Sequence, residues 1–127
     1  MFNAVFDHYT IKVKNLEESA AFYSDILKLS PIENRTEKPH IRWFSLGEDR
    51  ELHLVKGETE GIQTNIGIHI ALRLKDFDVF LAHLEENDIT PHNSKAKPNA
   101  TTVRADGINQ VYFQDPDGYW IEVNDAV

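Results

Sequence analysis

The chain repeats itself once. His8-Tyr-Thr-Ile-Lys-Val-Lys-Asn-Leu-Glu17 lies without a gap against His69-Ile-Ala-Leu-Arg-Leu-Lys-Asp-Phe-Asp78, at an offset of 61 (69 − 8). Each copy opens with a histidine and alternates apolar and polar residues as a half-buried strand does. Each then runs into a helical pattern. Ile11 and Val13 match Leu72 and Leu74, Lys12 matches Arg73, and Asn15 matches Asp76. A repeat of this kind ties the fold to two similar supersecondary units. With 127 residues in all, the two units fit one ordinary domain.

The rest of each half follows one plan. Asn15, with Glu18 three residues on, reads as an N-cap and capping box, and Asp76 is the expected cap of the second helix. Leu16, Ala20, Tyr23 and Leu27, flanked by Phe22 and Ile26, form one apolar stripe, and Phe77, Phe80, Leu81 and Leu84 form the other. Strand-like pieces follow near 29–33, 41–46 and 51–55, and again near 89–92, 101–104, 110–114 and 119–124. Gly47-Glu48-Asp49 and Asp115-Pro116-Asp117-Gly118 are turn sequences that close a hairpin at the end of each half. The expected fold is α+β, with two βαβββ modules at about 4–56 and 66–125 in a single domain. A polar link covers 56–65, and an exposed loop with Lys95, Lys97 and Pro98 covers 92–100.

Composition removes several functions. No cysteine is present, so disulfides, thiolate metal sites and a cysteine nucleophile are excluded. A net charge of −8 argues against general nucleic-acid binding, which needs a basic surface. No apolar run approaches the ~20 residues of a membrane helix, so a soluble cytoplasmic protein is expected. A phosphate-binding glycine loop, a Gly-x-Ser-x-Gly turn and a His-Glu-x-x-His helix are all missing from the sequence.

Strand alternation sorts the remaining polar residues by face. His8, Thr10 and Lys12 share one face of the first strand, and His69, Ala71 and Arg73 share the matching face of its repeat. Glu51 and His53 lie together on one closing strand, and Trp120 and Glu122 on the other. Each half thus offers a histidine from its first strand and a glutamate from its last. His8, Glu51, His69 and Glu122 are the expected metal ligands, a set that suits Zn, Ni, Mn, Co or Fe(II). A lone strand histidine is more often a hydrogen-bonded structural residue, so the case rests on the four together. His53 competes with Glu51 for the same place. Glu51 is preferred because, like Glu122, it precedes an aliphatic residue. His53, Lys12, Arg73 and Trp120 are candidate substrate contacts, and Phe44 and Tyr112 candidate pocket walls. His40, His83 and His92 have no repeat partner and read as surface or loop residues.

Over 6–124 the chain resembles the vicinal oxygen chelate superfamily, which includes glyoxalase I, fosfomycin and bleomycin resistance proteins and extradiol dioxygenases. The resemblance is carried by Asp7-His8-Tyr9-Thr10-Ile11, by Gly67-Ile68-His69-Ile70-Ala71, by Arg50-Glu51-Leu52-His53-Leu54, and most specifically by Asp115-Pro116-Asp117-Gly118-Tyr119-Trp120-Ile121-Glu122. It implies two βαβββ modules whose mixed sheets curl around a metal-bearing cleft. It also implies a divalent metal that stabilises an oxyanion or enolate on a small oxygenated substrate, and Glu122 or Glu51 as catalytic base. The expected activity is that of a metal-dependent lyase or isomerase, acting as a homodimer. The alternative is a metal-free binding protein of the bleomycin-resistance kind. Where glyoxalase I has Arg and Asn as glutathione contacts, this chain has Lys12 and Val55, which weakens the case for glutathione.

Overall fold

A computed structural model describes all of residues 1–127. The chain divides into two compact units, Met1–Gly61 and Ile62–Val127, with the boundary inside the polar link. The first contains β1 (His8–Val13), α1 (Leu16–Asp25), β2 (Pro31–Ile32), β3 (Ile41–Gly47) and β4 (Arg50–Lys56). The second contains β5 (His69–Arg73), α2 (Phe77–Glu86), β6 (Thr102–Val103), β7 (Asn109–Gln114) and β8 (Trp120–Asn124). Both are βαβββ modules with a four-stranded mixed sheet, ordered β1-β4-β3-β2 and β5-β8-β7-β6. In each, the first strand runs parallel to the last and the remaining pairs are antiparallel. The parallel pairing follows from the helix, which carries the chain back before the hairpin begins. No helix is long and apolar enough to cross a membrane.

The alternation fixes which face each sheet buries. In the first module Ile11, Val13, Phe44, Leu52 and Leu54 are buried on the helix side, with Leu16, Ala20, Tyr23 and Ile26 of and beside α1. In the second, Val111, Phe113, Ile121 and Val123 are buried with Phe77, Phe80 and Leu84, and the Phe80 ring lies 5.6 Å from Phe113. Leu27, Phe22 and Leu81, expected within the stripes, are only half-buried at their edges.

The two helix starts differ. Asn15 Oδ1 accepts from the Glu18 N–H at 3.0 Å, as expected of a cap. Asp76 occupies the same repeat position, but its side chain makes no cap hydrogen bond. Replacing Asn15 by Ala is therefore expected to cost about 1 kcal/mol, and Asp76→Ala only a few tenths. Urea unfolding of both variants measures the contrast.

The early strands are shorter than the sequence suggests. β2 is reduced to an edge pair because Pro31 has no N–H to donate and Asn34 turns the chain by accepting from Thr36 N at 2.9 Å. Residues 89–92 form no strand. Ile89 N–H instead closes α2 onto Leu84 O at 2.9 Å, Pro91 offers no donor, and His92 alone bridges to Tyr112.

Candidate functional site

The sheet face away from each helix carries nearly all the ionisable groups expected to matter. In the second module Glu122 lies on the inner strand β8 with its side chain only 6% exposed. Four groups converge on it. Tyr112 O–H donates to Oε1 at 2.8 Å, and the side-chain amides of Asn124 and Gln110 donate to Oε2 at 2.7 and 3.1 Å. His69 Nε2 lies 3.2 Å from Oε1. Burial pushes the Glu122 carboxyl up, but the bonds from Asn124, Tyr112 and Gln110 and the nearby His69 outweigh it, so the group sits below its ordinary 4.5. Burial, with the adjacent carboxylate, pushes the Tyr112 phenol up to about 12.

The first module builds a different cluster. The His53 ring is stacked on His8 at 4.2 Å and on Trp43 at 4.0 Å, nearly parallel to both. With β4 between β1 and β3, His53 fills the space between the other two rings. His53 Nε2 lies 2.9 Å from Glu51 Oε1. Arg35 donates to Glu51 Oε2 at 3.1 Å, and its guanidinium carbon stands 4.5 Å over the Trp43 ring. The His53 hydrogen bond, and then Arg35, hold the Glu51 carboxyl below its ordinary value against the effect of burial. His8 Nδ1 lies 2.6 Å from Asp7 Oδ2.

Strand register corrects the expected equivalence of Glu51 with Glu122. Thr10 and Ala71 are the same repeat position; Thr10 pairs with His53, and Ala71 pairs with Glu122. In the sheet His53 is therefore the counterpart of Glu122, while Glu51, opposite His8, corresponds to Trp120, opposite His69. Trp43 and Tyr112, the antiparallel neighbours of His53 and Glu122, are counterparts in turn.

The other expected contacts are spread along the corresponding faces of the two sheets. Lys12 and Arg73 are exposed, four residues along the strand from His8 and His69, or about 13 Å at the usual strand rise. The Lys12 stem lies over Gly57, where a Cβ would come within 3.2 Å of it. Trp120 is half-buried, edge-on to His92 at 5.0 Å. His92, expected as a surface or loop residue, lies outside the named strands and is half-buried. Phe44 is not on this face: it is 3% exposed among the helix-side residues. Trp43, Arg35, Gln110 and Asn124 were not singled out from the sequence. Trp43 could have been, because the hairpin turn at Gly47 sets it across from His53.

Trp43 carries one unusual feature. Its Nε1 is the one buried side-chain polar atom of the chain with no hydrogen-bond partner. Such an orphan costs on the order of 1–3 kcal/mol. Trp43→Phe removes it while keeping a ring against His53, so the lost area and the relieved donor should largely cancel. A stability change under about 1 kcal/mol is expected in denaturant unfolding, and a loss above about 3 would mean that the N–H is bonded.

No group of three or more His, Asp or Glu side chains stands together so as to hold a metal ion. The donor chemistry nonetheless fits one. A carboxylate or carbonyl oxygen only accepts, so the ring nitrogen facing it carries the hydrogen. His8 Nδ1 is anchored on Asp7, His53 Nε2 on Glu51, and His69 Nδ1 on Ile66 O at 2.7 Å. Each imidazole keeps its second nitrogen for another partner, as metal-ligating histidines do. For His69 that nitrogen faces Glu122, a contact that is favourable only with a proton or a cation between them.

Comparison with known proteins agrees with this architecture. The chain is 24% identical over 121 residues to the uncharacterised protein YwbC of Bacillus subtilis (strain 168), covering 91% of this chain and 93% of that one. The solved structure of oxidase ChaP-H2 matches with a TM-score of 0.81 at 20% identity, covering 99% of this chain and 96% of that one. The fosfomycin resistance protein FosX from Listeria monocytogenes matches with a TM-score of 0.77 at 19% identity, over the same shares of the two chains. The model of one family matches residues 5–123, and the chain belongs to that family, the Glyoxalase/Bleomycin resistance protein/Dioxygenase superfamily.

Proposed function

We propose that the chain is a divalent-metal-dependent enzyme of the lyase or isomerase class that acts on a small oxygenated substrate. The observation that carries this reading is the anchoring of His8, His53 and His69, each at one ring nitrogen, on the sheet face turned away from the helix in its own module, the face that in the second module also carries the buried Glu122. His8, His69 and Glu122 hold the ion, and β4 supplies the fourth group from His53 or Glu51; register favours His53. Zn, Ni, Mn, Co and Fe(II) all suit imidazole and carboxylate donors. When bound, the ion acts as a Lewis acid toward a substrate oxygen.

The chain's own groups do the rest. Glu122 and Glu51 both lie below the ordinary carboxylate range, so they are ionised and hold charge better than they abstract a proton. Trp120, Lys12 and Arg73, on the corresponding faces of the two sheets, are the side chains proposed to contact substrate. A homodimer is the proposed assembly. Oxidase and fosfomycin resistance protein are the names of structures with this fold, so the fold alone does not choose the reaction.

A second reading has its own support. Tyr112, Gln110 and Asn124 already satisfy Glu122 without a cation, which suits a metal-free binder of small molecules. Metal analysis of untreated protein, with re-addition of each candidate ion, separates the two. The enzyme reading expects about one ion per site, lost in His69→Ala and Glu122→Ala. Wild type with no bound or restorable metal overturns it.

A further inference from the structure

Glu51, His53, Trp43 and Arg35 form a closed ring of contacts. Arg35 donates to Glu51 and covers the Trp43 ring, Glu51 accepts from His53, and His53 stacks on Trp43. Every member is therefore held at two points. Both oxygens of Glu51 are in use, Oε1 toward His53 and Oε2 toward Arg35, and its side chain is 15% exposed. Each carboxylate oxygen keeps a second lone pair, so register rather than occupancy sets Glu51 apart: it stands opposite His8 where Trp120 stands opposite His69, while His53 takes the place of the ligand Glu122. His53, 12% exposed and filled on both faces, cannot turn its ring without displacing His8 or Trp43. The second module has no such ring. Trp120 stands where Glu51 stands, and Glu122 is held by direct donors instead.

From this geometry we propose that Glu51 is a positioning residue, neither metal ligand nor base. By accepting from Nε2 it holds His53 in the tautomer that leaves Nδ1 open, and through His53 it sets the plane of the His8 ring. Arg35 and Trp43 brace Glu51 and His53 from the far side. This rests on the metal-dependent reading, in which His53 and His8 contribute ligands from this module. A hydrogen-bonded carboxylate behind a ligating imidazole fixes its orientation and raises its basicity, and losing one lowers metal affinity about 10–100-fold.

Two measurements on the full chain test it. In metal-free protein, ring nitrogen shifts of His53 should report the Nε2–H tautomer in wild type. They should report a mixture in Glu51→Ala, with Glu51→Gln between the two. With cobalt(II) as probe, Glu51→Ala should keep the wild-type visible spectrum while binding about 10–100-fold more weakly. His53→Ala should change the spectrum itself. The proposal is overturned if Glu51→Ala alters the cobalt spectrum while His53→Ala leaves it intact, since Glu51 would then be the ligand. It is also overturned if His53 keeps its tautomer in Glu51→Ala. A wild type that takes up no cobalt sinks the metal reading, and the tautomer measurement alone then decides whether Glu51 orients His53.

Discussion

Replacing Glu122 by Ala is expected to lower folding stability by about 3–5 kcal/mol, the largest effect of any single site residue. The carboxylate is nearly fully buried and accepts from Tyr112, Gln110 and Asn124. Truncation strands these donors among buried strands, where each unsatisfied group costs about 1–3 kcal/mol. Glu51→Ala is expected to cost less, because of its two partners Arg35 is 61% exposed and rehydrates when released, which leaves only the His53 N–H stranded. Urea unfolding of the two variants side by side reads the difference, and equal losses would contradict it. The same carboxylate predicts acid sensitivity. The folded Glu122 lies below 4.5, its ordinary value when unfolded, so its stabilisation is complete above that value. It is lost as pH falls through the lower folded value, where the unfolded chain binds the proton first. Glu122→Ala should flatten the acid limb of the stability profile.

Metal loading is the second large effect. An ion present at about 100 times its dissociation constant stabilises the folded state by about 2.7 kcal/mol, or roughly 10 °C in Tm for a chain of this size. Chelation should reverse the whole shift. His69→Ala should remove the response altogether, since it deletes the imidazole whose Nε2 faces Glu122. Calorimetry with and without chelator checks this. A Tm indifferent to every candidate ion would favour the metal-free binder.

Much of the architecture is legible in the chain itself. The repeat beginning at His8 and His69 announced two βαβββ modules, and alternation assigned His8, Glu51, His53, His69 and Glu122 to the faces where they are found. Local chemistry misled in places. Asp76 has the residue type of a cap and caps nothing through its side chain, while residues 89–92 have strand-like content but spend their backbone on α2 and on isolated bridges from His92 to Tyr112 and Pro98. Phe44, a candidate pocket wall from the sequence, faces the helix, and Trp43 beside it takes the other face, since one residue along a strand reverses the side chain.

By itself the sequence determined the modules, the buried faces and the pool of candidate ligands, because periodicity and parity are local properties of the backbone. Tertiary structure decided which residues in that pool are counterparts. Equivalence between β4 and β8 depends on their register against β1 and β5, strands about 40 to 50 residues away in the chain, and alternation cannot distinguish a shift of two residues because it keeps every side chain on its face. The closing hairpins then set Trp43 beside His53 and Tyr112 beside Glu122, and Glu51 is left to Arg35 and the His53 ring.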